Sequence, residues 1–144
     1  MDDCQFCAIV AGELPARIVL AGAAAVAFAP LRPANPGHLL VVPRRHSADI
    51  WDVPPEDAHH LTDAVLRLSH AAREALAPDG LNVITSAGEA ATQTVFHLHV
   101  HLVPRWHGDG FGDIWPKEPR VGAEEEAAAI DRIGAAAVLS APGP

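Results

Sequence analysis

The sequence predicts a single domain that combines β-strands with α-helices. Its 144 residues are enough for one hydrophobic core, and no linker or second core is expected. From Gln93 to Arg105, apolar residues alternate with histidines at the two-residue period of a strand. From Ala58 to Leu76, apolar residues recur instead at the spacing of an amphipathic helix. Both periods in a chain of this length indicate a mixed fold around one core.

The alternating stretch divides its side chains between two faces. The predicted core face carries Thr94, Phe96, Leu98, Val100 and Leu102, and the opposite face carries His97, His99 and His101. Three imidazoles on one face are costly to bury unless each has a partner. One zinc ion cannot easily hold all three, because alternate strand residues lie about 6.6 Å apart whereas zinc binds nitrogen at about 2.0 to 2.1 Å. At least one histidine is therefore predicted to act as a nucleophile or proton carrier.

Short strands and a tight turn are predicted before the helix. Ile18 to Pro30 is apolar and fits two strands joined around Ala21-Gly22. Asn35-Pro36-Gly37 is typical of a tight turn, with His38 as a polar side chain that secures it. His38 to Val42 is predicted to be a buried strand that ends at Pro43, because proline cannot donate to a ladder.

The helical pattern has recognisable ends. Asp52 is expected to cap a helix that starts at Pro54-Pro55-Glu56, since prolines are tolerated in a first turn. Pro78-Asp79-Gly80 ends the helix and leads into a strand from Leu81 to Thr85. The polar stripe of the helix, including His59, His60 and His70, is interpreted as a solvated face.

Two further segments complete the chain. Ser86 to Thr92 is a loop of small residues, which lets backbone N–H groups approach an anion such as phosphate. A last helix, about residues 123–138, starts with acidic side chains that suit the helix dipole. It is expected to pack down through Ala127, Ile130, Ile133, Ala137 and Val138.

Cys4-x-x-Cys7 matches half of a tetrahedral zinc site. Two more ligands are needed, and without a second cysteine pair they must come from the nine histidines. A redox pair or two idle thiols are the alternatives.

Composition excludes several classes of function. The net charge is −8 at pH 7, and the ten Lys and Arg residues are scattered, so binding to a nucleic-acid polymer is disfavoured. No apolar run reaches the length of a membrane span, so no membrane partner is expected. The N-terminus lacks the pattern of a signal peptide, which favours a cytoplasmic location with reduced cysteines.

Several motifs together resemble the histidine-triad (HIT) family of nucleotide hydrolases and transferases. These are QTVFHLHVHLVPR with the following WHGDGFG, the opening CQFCAIVAGELPA, and PGHLLVVPRRH. The resemblance implies an α+β fold with an antiparallel sheet of about five strands, one long helix and one C-terminal helix. It implies a single domain over residues 1–144, with a core of about 4–112, and a homodimer formed through sheet and helix.

The resemblance also implies an activity and a set of site residues. His99 would attack the α-phosphorus of a nucleoside phosphate derivative, with its other ring nitrogen held by an acceptor such as a backbone carbonyl. His101 would donate to the leaving group or phosphoryl oxygens, and Ser86, Gln93 and Thr94 would bind the substrate. The metal ligands would be Cys4, Cys7, His46 and His97, holding a structural zinc ion that the chemistry itself does not require.

Three positions depart from the family pattern. Thr92 stands where the family has a glycine, and Pro30 stands where many members have an Asp or Asn that binds ribose. Ser86 replaces an Asn or Gln near the α-phosphate. Two alternatives therefore stay open: a nucleotide-binding regulatory module with little turnover, and a metal-dependent hydrolase in which His97 and His99 are ligands.

Overall fold

A computed structural model describes residues 3–140, with side-chain burial up to residue 137. This part of the chain contains five strands, three α-helices and one short 3-10 helix. They are α1 (Gln5–Val10), β1 (Ile18–Ala21), β2 (Ala25–Phe28), β3 (Leu39–Pro43), α2 (Pro55–Leu76), β4 (Gly80–Ile84), the 3-10 helix (Glu89–Ala91), β5 (Val100–Arg105) and α3 (Ala123–Ser140).

The five strands form one antiparallel sheet in the order β1-β2-β3-β5-β4. His101 of β5 lies opposite Leu40 of β3 on one side and Ile84 of β4 on the other. The last histidine of the triad is therefore flanked by strands on both sides. The predicted α+β fold with a five-stranded antiparallel sheet is confirmed.

Each face of the sheet is covered by a different helix. On one face, α2 contributes Leu61, Ala64 and Leu68 to a core with alternate residues of the inner strands. These strand residues are Ala25, Ala27, Val41, Leu98, Val100 and Leu102. On the other face, Phe6 of α1 packs with Val26, Phe28, Leu40 and Val42. Since directly paired residues share a face, His101 lies on the α1 side with its partner Leu40.

The predicted triad strand is shorter than expected. β5 begins only at Val100, so His97 and His99 precede it. Leu98, Val100 and Leu102 are buried as predicted, but Thr94 is exposed and Phe96 is 49% exposed, so their placement in the core was wrong. The reason is a contact outside the ladder: the Leu98 N–H donates to the Ser47 carbonyl at 2.7 Å, which bends the segment toward the residues after β3.

The long helix is confirmed, but the predicted cap was wrong. The helix begins at Pro55, with Pro54 at the cap position and no side-chain cap bond. The Asp52 carboxylate instead accepts the Ala48 N–H at 2.8 Å, which closes the loop before the helix.

The chain divides into two compact units, Met1–Phe111 and Gly112–Pro144. All five strands lie in the first unit, and α3 lies in the second. Ile130 and Ile133 of α3 are 55% and 64% exposed, so they are not buried as predicted. The predicted packing of Val138 falls outside the side chains described, and the extent of one domain over residues 1–144 stays a prediction. None of the described helices has the length and apolarity needed to cross a membrane.

Candidate active site and metal centre

His99 is held in one tautomer by the backbone. Its Nδ1 lies 2.8 Å from the carbonyl oxygen of His97. Because a carbonyl only accepts, Nδ1 carries the ring proton and Nε2 of the neutral ring has a free lone pair. The expected carbonyl partner is therefore present. The lone pair on Nε2 is what a nucleophilic imidazole needs.

Two neighbours fix the position of this ring and its backbone. The Thr85 hydroxyl donates to the His99 carbonyl at 2.8 Å. The ring of Phe6 meets the His99 ring edge-on, with centroids 5.2 Å apart and planes at 90°. The end of β4 and helix α1 thus both hold His99, and neither contact was predicted from the sequence.

His101 is paired with His38, the last residue of the turn before β3. The Ala34 N–H donates to His38 Nδ1 at 3.0 Å, so this nitrogen is the acceptor and His38 Nε2 carries the proton. His38 Nε2 lies 2.9 Å from His101 Nδ1 and donates to it. His101 therefore carries its own proton on Nε2. A backbone N–H thus sets the tautomers of both rings in the His38–His101 pair.

Both rings of the pair are neutral at pH 7. Burial, aided by the nearby charges of His99 and His38, lowers the pKa of His101 to about 4. Burial also lowers the pKa of His38. In the free protein, His101 is thus a neutral hydrogen-bond donor through Nε2–H.

The four predicted zinc ligands lie together at the other end of the triad. Cys7 Sγ is 3.3 Å from His46 Nδ1 and 3.4 Å from His97 Nδ1, and Cys4 Sγ is 3.5 Å from His97 Nδ1. All four ligand atoms lie within 4.8 Å of one another. A tetrahedral zinc ion with bonds of about 2.0 to 2.3 Å separates its ligand atoms by roughly 3.3 to 3.8 Å. The three distances given fall in this range, so the Cys2His2 cluster is compact enough to hold zinc.

The environment of the cluster also suits a metal ion. His97 is fully buried, and its Nε2 donates to the Pro43 carbonyl at 2.9 Å, the usual way in which the second nitrogen of a metal-binding histidine is fixed. Burial, together with Cys4, raises the pKa of Cys7 to about 11, so a cation is needed to hold its thiolate near neutral pH.

The alternative with His97 and His99 on one catalytic ion finds no support. Both nitrogens of His97 are already engaged, and His99 Nδ1 donates to a carbonyl. Within residues 3–140, the potential metal-binding group joins His97 to Cys4, Cys7 and His46, without His99.

Gln93 closes the small-residue loop. Its Oε1 accepts the Gly88 N–H at 2.8 Å, and its Nε2 donates to the carbonyls of Ala48 at 2.7 Å and Val95 at 3.0 Å. The side chain is buried. Both amide hydrogens are used within the protein, so Gln93 holds the shape of the loop, and its contact with substrate stays a prediction.

Thr92 adopts a backbone conformation that favours glycine. Its φ is 68° and its ψ 22°, in the left-handed region. Its hydroxyl donates to the neighbouring Ala91 carbonyl at 2.6 Å. The departure from the family's glycine at this position therefore places a strained residue at the end of the loop.

The remaining predicted residues border the same region. Thr94 is exposed, and within the described residues no hydrogen bond of its hydroxyl is found. Ser86 is half-buried and directly follows Thr85, which binds the His99 carbonyl. Their contact with substrate stays a prediction. The sequence analysis missed the hydrogen bond between His38 and His101. The only sequence signal for it was the position of His38 at the start of a predicted strand.

The HIT domain family model matches residues 11–108 of this chain. The chain belongs to the HIT family. The HIT match includes His38, His99 and His101 but begins after Cys4 and Cys7. The cluster of possible zinc ligands thus combines two HIT-domain histidines with two cysteines that precede the match.

Two relatives and one crystal structure illustrate the similarity. Protein hit of Bacillus subtilis is 37% identical over 115 residues, which cover 79% of each chain. Adenosine 5'-monophosphoramidase hnt1 of Schizosaccharomyces pombe is 32% identical over 117 residues, covering 81% of this HIT protein and 85% of the relative. A Zn-bound histidine triad family protein from Mycobacterium smegmatis superposes with a TM-score of 0.73 at 36% identity, covering 94% of this chain and 98% of that one.

Proposed function

We propose that this HIT protein cleaves nucleoside phosphate derivatives at the α-phosphorus through a nucleotidyl intermediate on His99. Suitable substrates are phosphoramidates, dinucleoside polyphosphates or similar compounds. The observation that carries the proposal is the tautomer of His99, which leaves Nε2 free because Nδ1 donates to the His97 carbonyl. The monophosphoramidase name of the Schizosaccharomyces pombe relative supports the same class of substrate.

The reaction has two steps. In the first, His99 Nε2 forms a bond to phosphorus while the bond to the leaving group breaks, and the leaving atom takes a proton from His101 Nε2. In the second, water attacks phosphorus, the phosphorus–nitrogen bond breaks, and His101 receives the water proton. The His99 Nδ1–H stays on the His97 carbonyl throughout, so the positive charge formed on His99 is stabilised by that hydrogen bond.

The substrate itself makes His101 an acid. In the free protein, burial keeps the pKa of His101 at about 4. A bound phosphate brings negative charge to this ring, which favours the protonated form of the His38–His101 pair. The two rings are hydrogen bonded at 2.9 Å, so they titrate as one unit and the proton leaves through His101 Nε2.

The loop after β4 supplies the site for the phosphate oxygens. Gly88 and Gln93 hold its backbone in a closed shape, with Gly88 at a φ of 86° that only glycine adopts easily. Ser86 and Thr94 flank this loop and would donate hydroxyl hydrogen bonds to the non-bridging oxygens. Positioning and charge stabilisation carry most of the catalysis in phosphoryl transfer.

Zinc has a structural role in this proposal. Cys4, Cys7, His46 and His97 would hold it, and the ion would bind α1 to the end of β3 and the start of the triad. Phe6 lies between the two cysteines in sequence, and its ring contacts the His99 ring. Fixing α1 through zinc would therefore also fix one side of the pocket around His99.

The proposal also covers the recognition of ribose, the cellular location and the oligomeric state. The substrate is a small nucleotide, and its ribose is not bound by residue 30, since Pro30 has no acceptor in its side chain. The protein is proposed to be a cytoplasmic homodimer, in which zinc-binding thiols stay reduced.

The test compares the wild-type protein with His99→Ala on an adenosine phosphoramidate and a diadenosine polyphosphate. Wild type should release AMP, and the variant should lose activity by about a thousandfold or more, because the nucleophile is absent. His59→Ala, which removes an exposed imidazole from α2, is the matched control and should remain fully active. Intact-mass measurement shortly after mixing should find one nucleotidyl adduct on wild type and none on His99→Ala.

Equal activity of His99→Ala and wild type would remove His99 from the mechanism. Saturable nucleotide binding without any turnover over the substrate panel would favour the regulatory binding module instead.

A further inference from the structure

The carboxylate of Asp109, four residues after the end of β5, accepts hydrogen bonds from four residues. Its Oδ2 accepts from Asn35 Nδ2 at 2.8 Å, Arg105 Nε at 2.8 Å and the Trp106 N–H at 3.0 Å. Its Oδ1 accepts from the Phe111 N–H at 3.0 Å and Arg105 Nη2 at 3.3 Å. The side chain is only 10% exposed. Asp109 therefore joins the segment after β5 to Asn35, which lies in the turn before β3.

The Asp109 carboxylate is bound to a well-connected arginine and is favoured in its charged form. Arg105, its main partner, also donates to Asn82 Oδ1 of β4 at 2.7 Å and covers the ring of Phe111 at 4.1 Å. Arg105 and the N–H groups of Phe111 and Trp106 hold the pKa of Asp109 well below its usual range. Asp109 is consequently an anion near neutral pH.

Asn35 connects Asp109 to the turn that orients His38. Its Nδ2 also donates to the Pro104 carbonyl at 2.9 Å, and the residue is buried. Its own carbonyl accepts the His38 N–H at 3.2 Å, while the preceding Ala34 N–H donates to His38 Nδ1 at 3.0 Å. The turn is seated tightly on β5, since a Cβ at Gly37 would lie 3.1 Å from Pro104. Turn 34–38 therefore depends on Asn35 for its side-chain attachment to β5.

We propose that Asp109 is a positioning residue for the reaction, acting through Asn35 on turn 34–38 and so on the hydrogen bond from His38 to His101. The inference rests on the proposed function, because that function gives His101 the proton for the leaving group. Among the described residues, Asp109 has no hydrogen bond or ion pair with His38 or His101. When it is removed, the turn loses its charged anchor and His38 is no longer aimed at His101 Nδ1.

The test uses two substrates that differ only in the leaving group of an AMP derivative. An amine leaving group needs a proton, whereas p-nitrophenolate leaves without one. Hydrolysis of the intermediate is common to both substrates, so the first step is measured alone, as the rate of leaving-group release in a single turnover. Asp109→Ala should lower this rate on the amine substrate by about 10- to 100-fold, the range for a misplaced proton donor, and should change it on the p-nitrophenyl ester by at most about twofold. General damage to the site would lower both rates equally.

Two further variants locate the effect. Asn35→Asp puts a carboxylate against Asp109 and removes both donated hydrogen bonds, so it should show the same loss on the amine substrate. The double variant Asn35→Asp/Asp109→Ala should be no worse than either single variant, because all act through one contact. Asp79→Ala is the control: Asp79 accepts the His107 N–H at 2.9 Å in the same segment and has no described hydrogen bond to Asn35. It should leave both rates unchanged.

A second readout does not depend on activity. The imidazole ¹⁵N shifts of the wild-type protein should report one tautomer each for His38 and His101, with the proton on Nε2. Asp109→Ala should mix the tautomers, and Asp79→Ala should not. Unchanged shifts in Asp109→Ala, or equal losses on both substrates, would overturn the positioning role. Inactivity of wild type on both substrates would instead refute the proposed function, and the shifts would still decide the role of Asp109.

Discussion

The histidines at the two ends of the triad differ in whether a ring nitrogen remains free to bind another group. His97 is fully buried, with Nδ1 at the thiols of Cys4 and Cys7 and Nε2 on the Pro43 carbonyl. His101 is half-buried, with Nδ1 on His38 and Nε2 without a hydrogen bond within the described residues. The same side chain, four positions apart on the same face, is thus completely engaged at one end and available at the other.

This difference teaches that a histidine's neighbours decide its chemistry. At the His97 end, two thiols and a second imidazole surround one point, an arrangement that suits a cation. At the His101 end, the neighbours are another imidazole and a backbone N–H that fix a proton on Nε2. His99 stands between them: its Nδ1 donates to the His97 carbonyl, and its ring centroid lies 5.0 Å from that of His101. The variants below test whether the His97 end acts on stability and the His101 end on the reaction.

The largest expected effect is on stability at the His97 end. Cys7→Ala removes one of the four proposed zinc ligands, so it should bind no zinc and should be about 5 kcal/mol or more less stable than the zinc-loaded wild type, because metal binding is coupled to folding. Zinc analysis and thermal unfolding with and without a chelator measure this. His101→Ala should keep zinc and unfold within a few degrees of wild type, so matching losses in the two variants would contradict the division into two ends.

The second-largest expected effect is on the reaction rate and concerns the His101 end of the triad. His38→Ala removes the donor to His101 Nδ1 and should lower kcat on an amine leaving group by about 10- to 100-fold, while zinc content stays unchanged. His38→Gln carries an amide nitrogen near the position of Nε2, so it should recover part of the rate. A rate for His38→Gln no better than that of His38→Ala would show that the hydrogen bond to His101 is not what matters.

A smaller effect is the pH dependence of stability. The pKa of His101 falls from 6.5 to about 4 on folding, chiefly because of burial, so the unfolded chain binds a proton between these values that the folded protein does not. Stability should therefore fall as the pH falls from 6.5 to 4. His101→Gln should flatten this dependence in thermal unfolding, but not abolish it, because burial also lowers the pKa of His38 and His97. An identical pH profile in the variant would refute the contribution of His101.

Local patterns were enough to predict much of the fold. The two-residue alternation placed Leu98, Val100 and Leu102 in the core, and the helical period located α2. These predictions hold because each depends on residues close together in the chain. The start of β5 could not be found this way, since it is set by the contact between the Leu98 N–H and the Ser47 carbonyl.

The candidate site shows the same limit. His38 was interpreted only as a residue that secures its turn, and it does accept the Ala34 N–H. Its bond to His101 spans 63 positions in sequence and depends on the pairing of β3 with β5, which no local pattern reveals. Gln93 was expected to bind substrate, which stays a prediction, and its hydrogen bond to the Ala48 carbonyl, 45 positions away, was not foreseen. The chemistry of a side chain is thus predictable from its type, and its partners are not.

The smallest expected effect concerns the loop that leads into the triad, where Thr92 is held at a φ of 68°. Thr92→Gly should raise the free energy of unfolding by about 1 kcal/mol, because glycine adopts this conformation without strain, less its own greater entropy loss. Thr92→Ala is the matched control: it keeps the strain, loses the bond to the Ala91 carbonyl and should gain nothing. Thermal unfolding measures both variants. Because the loop borders the proposed phosphate site and contributes no residue to the Cys2His2 cluster, Thr92→Gly should leave zinc content unchanged, and a change in zinc would mean that the two ends of the triad are not separate.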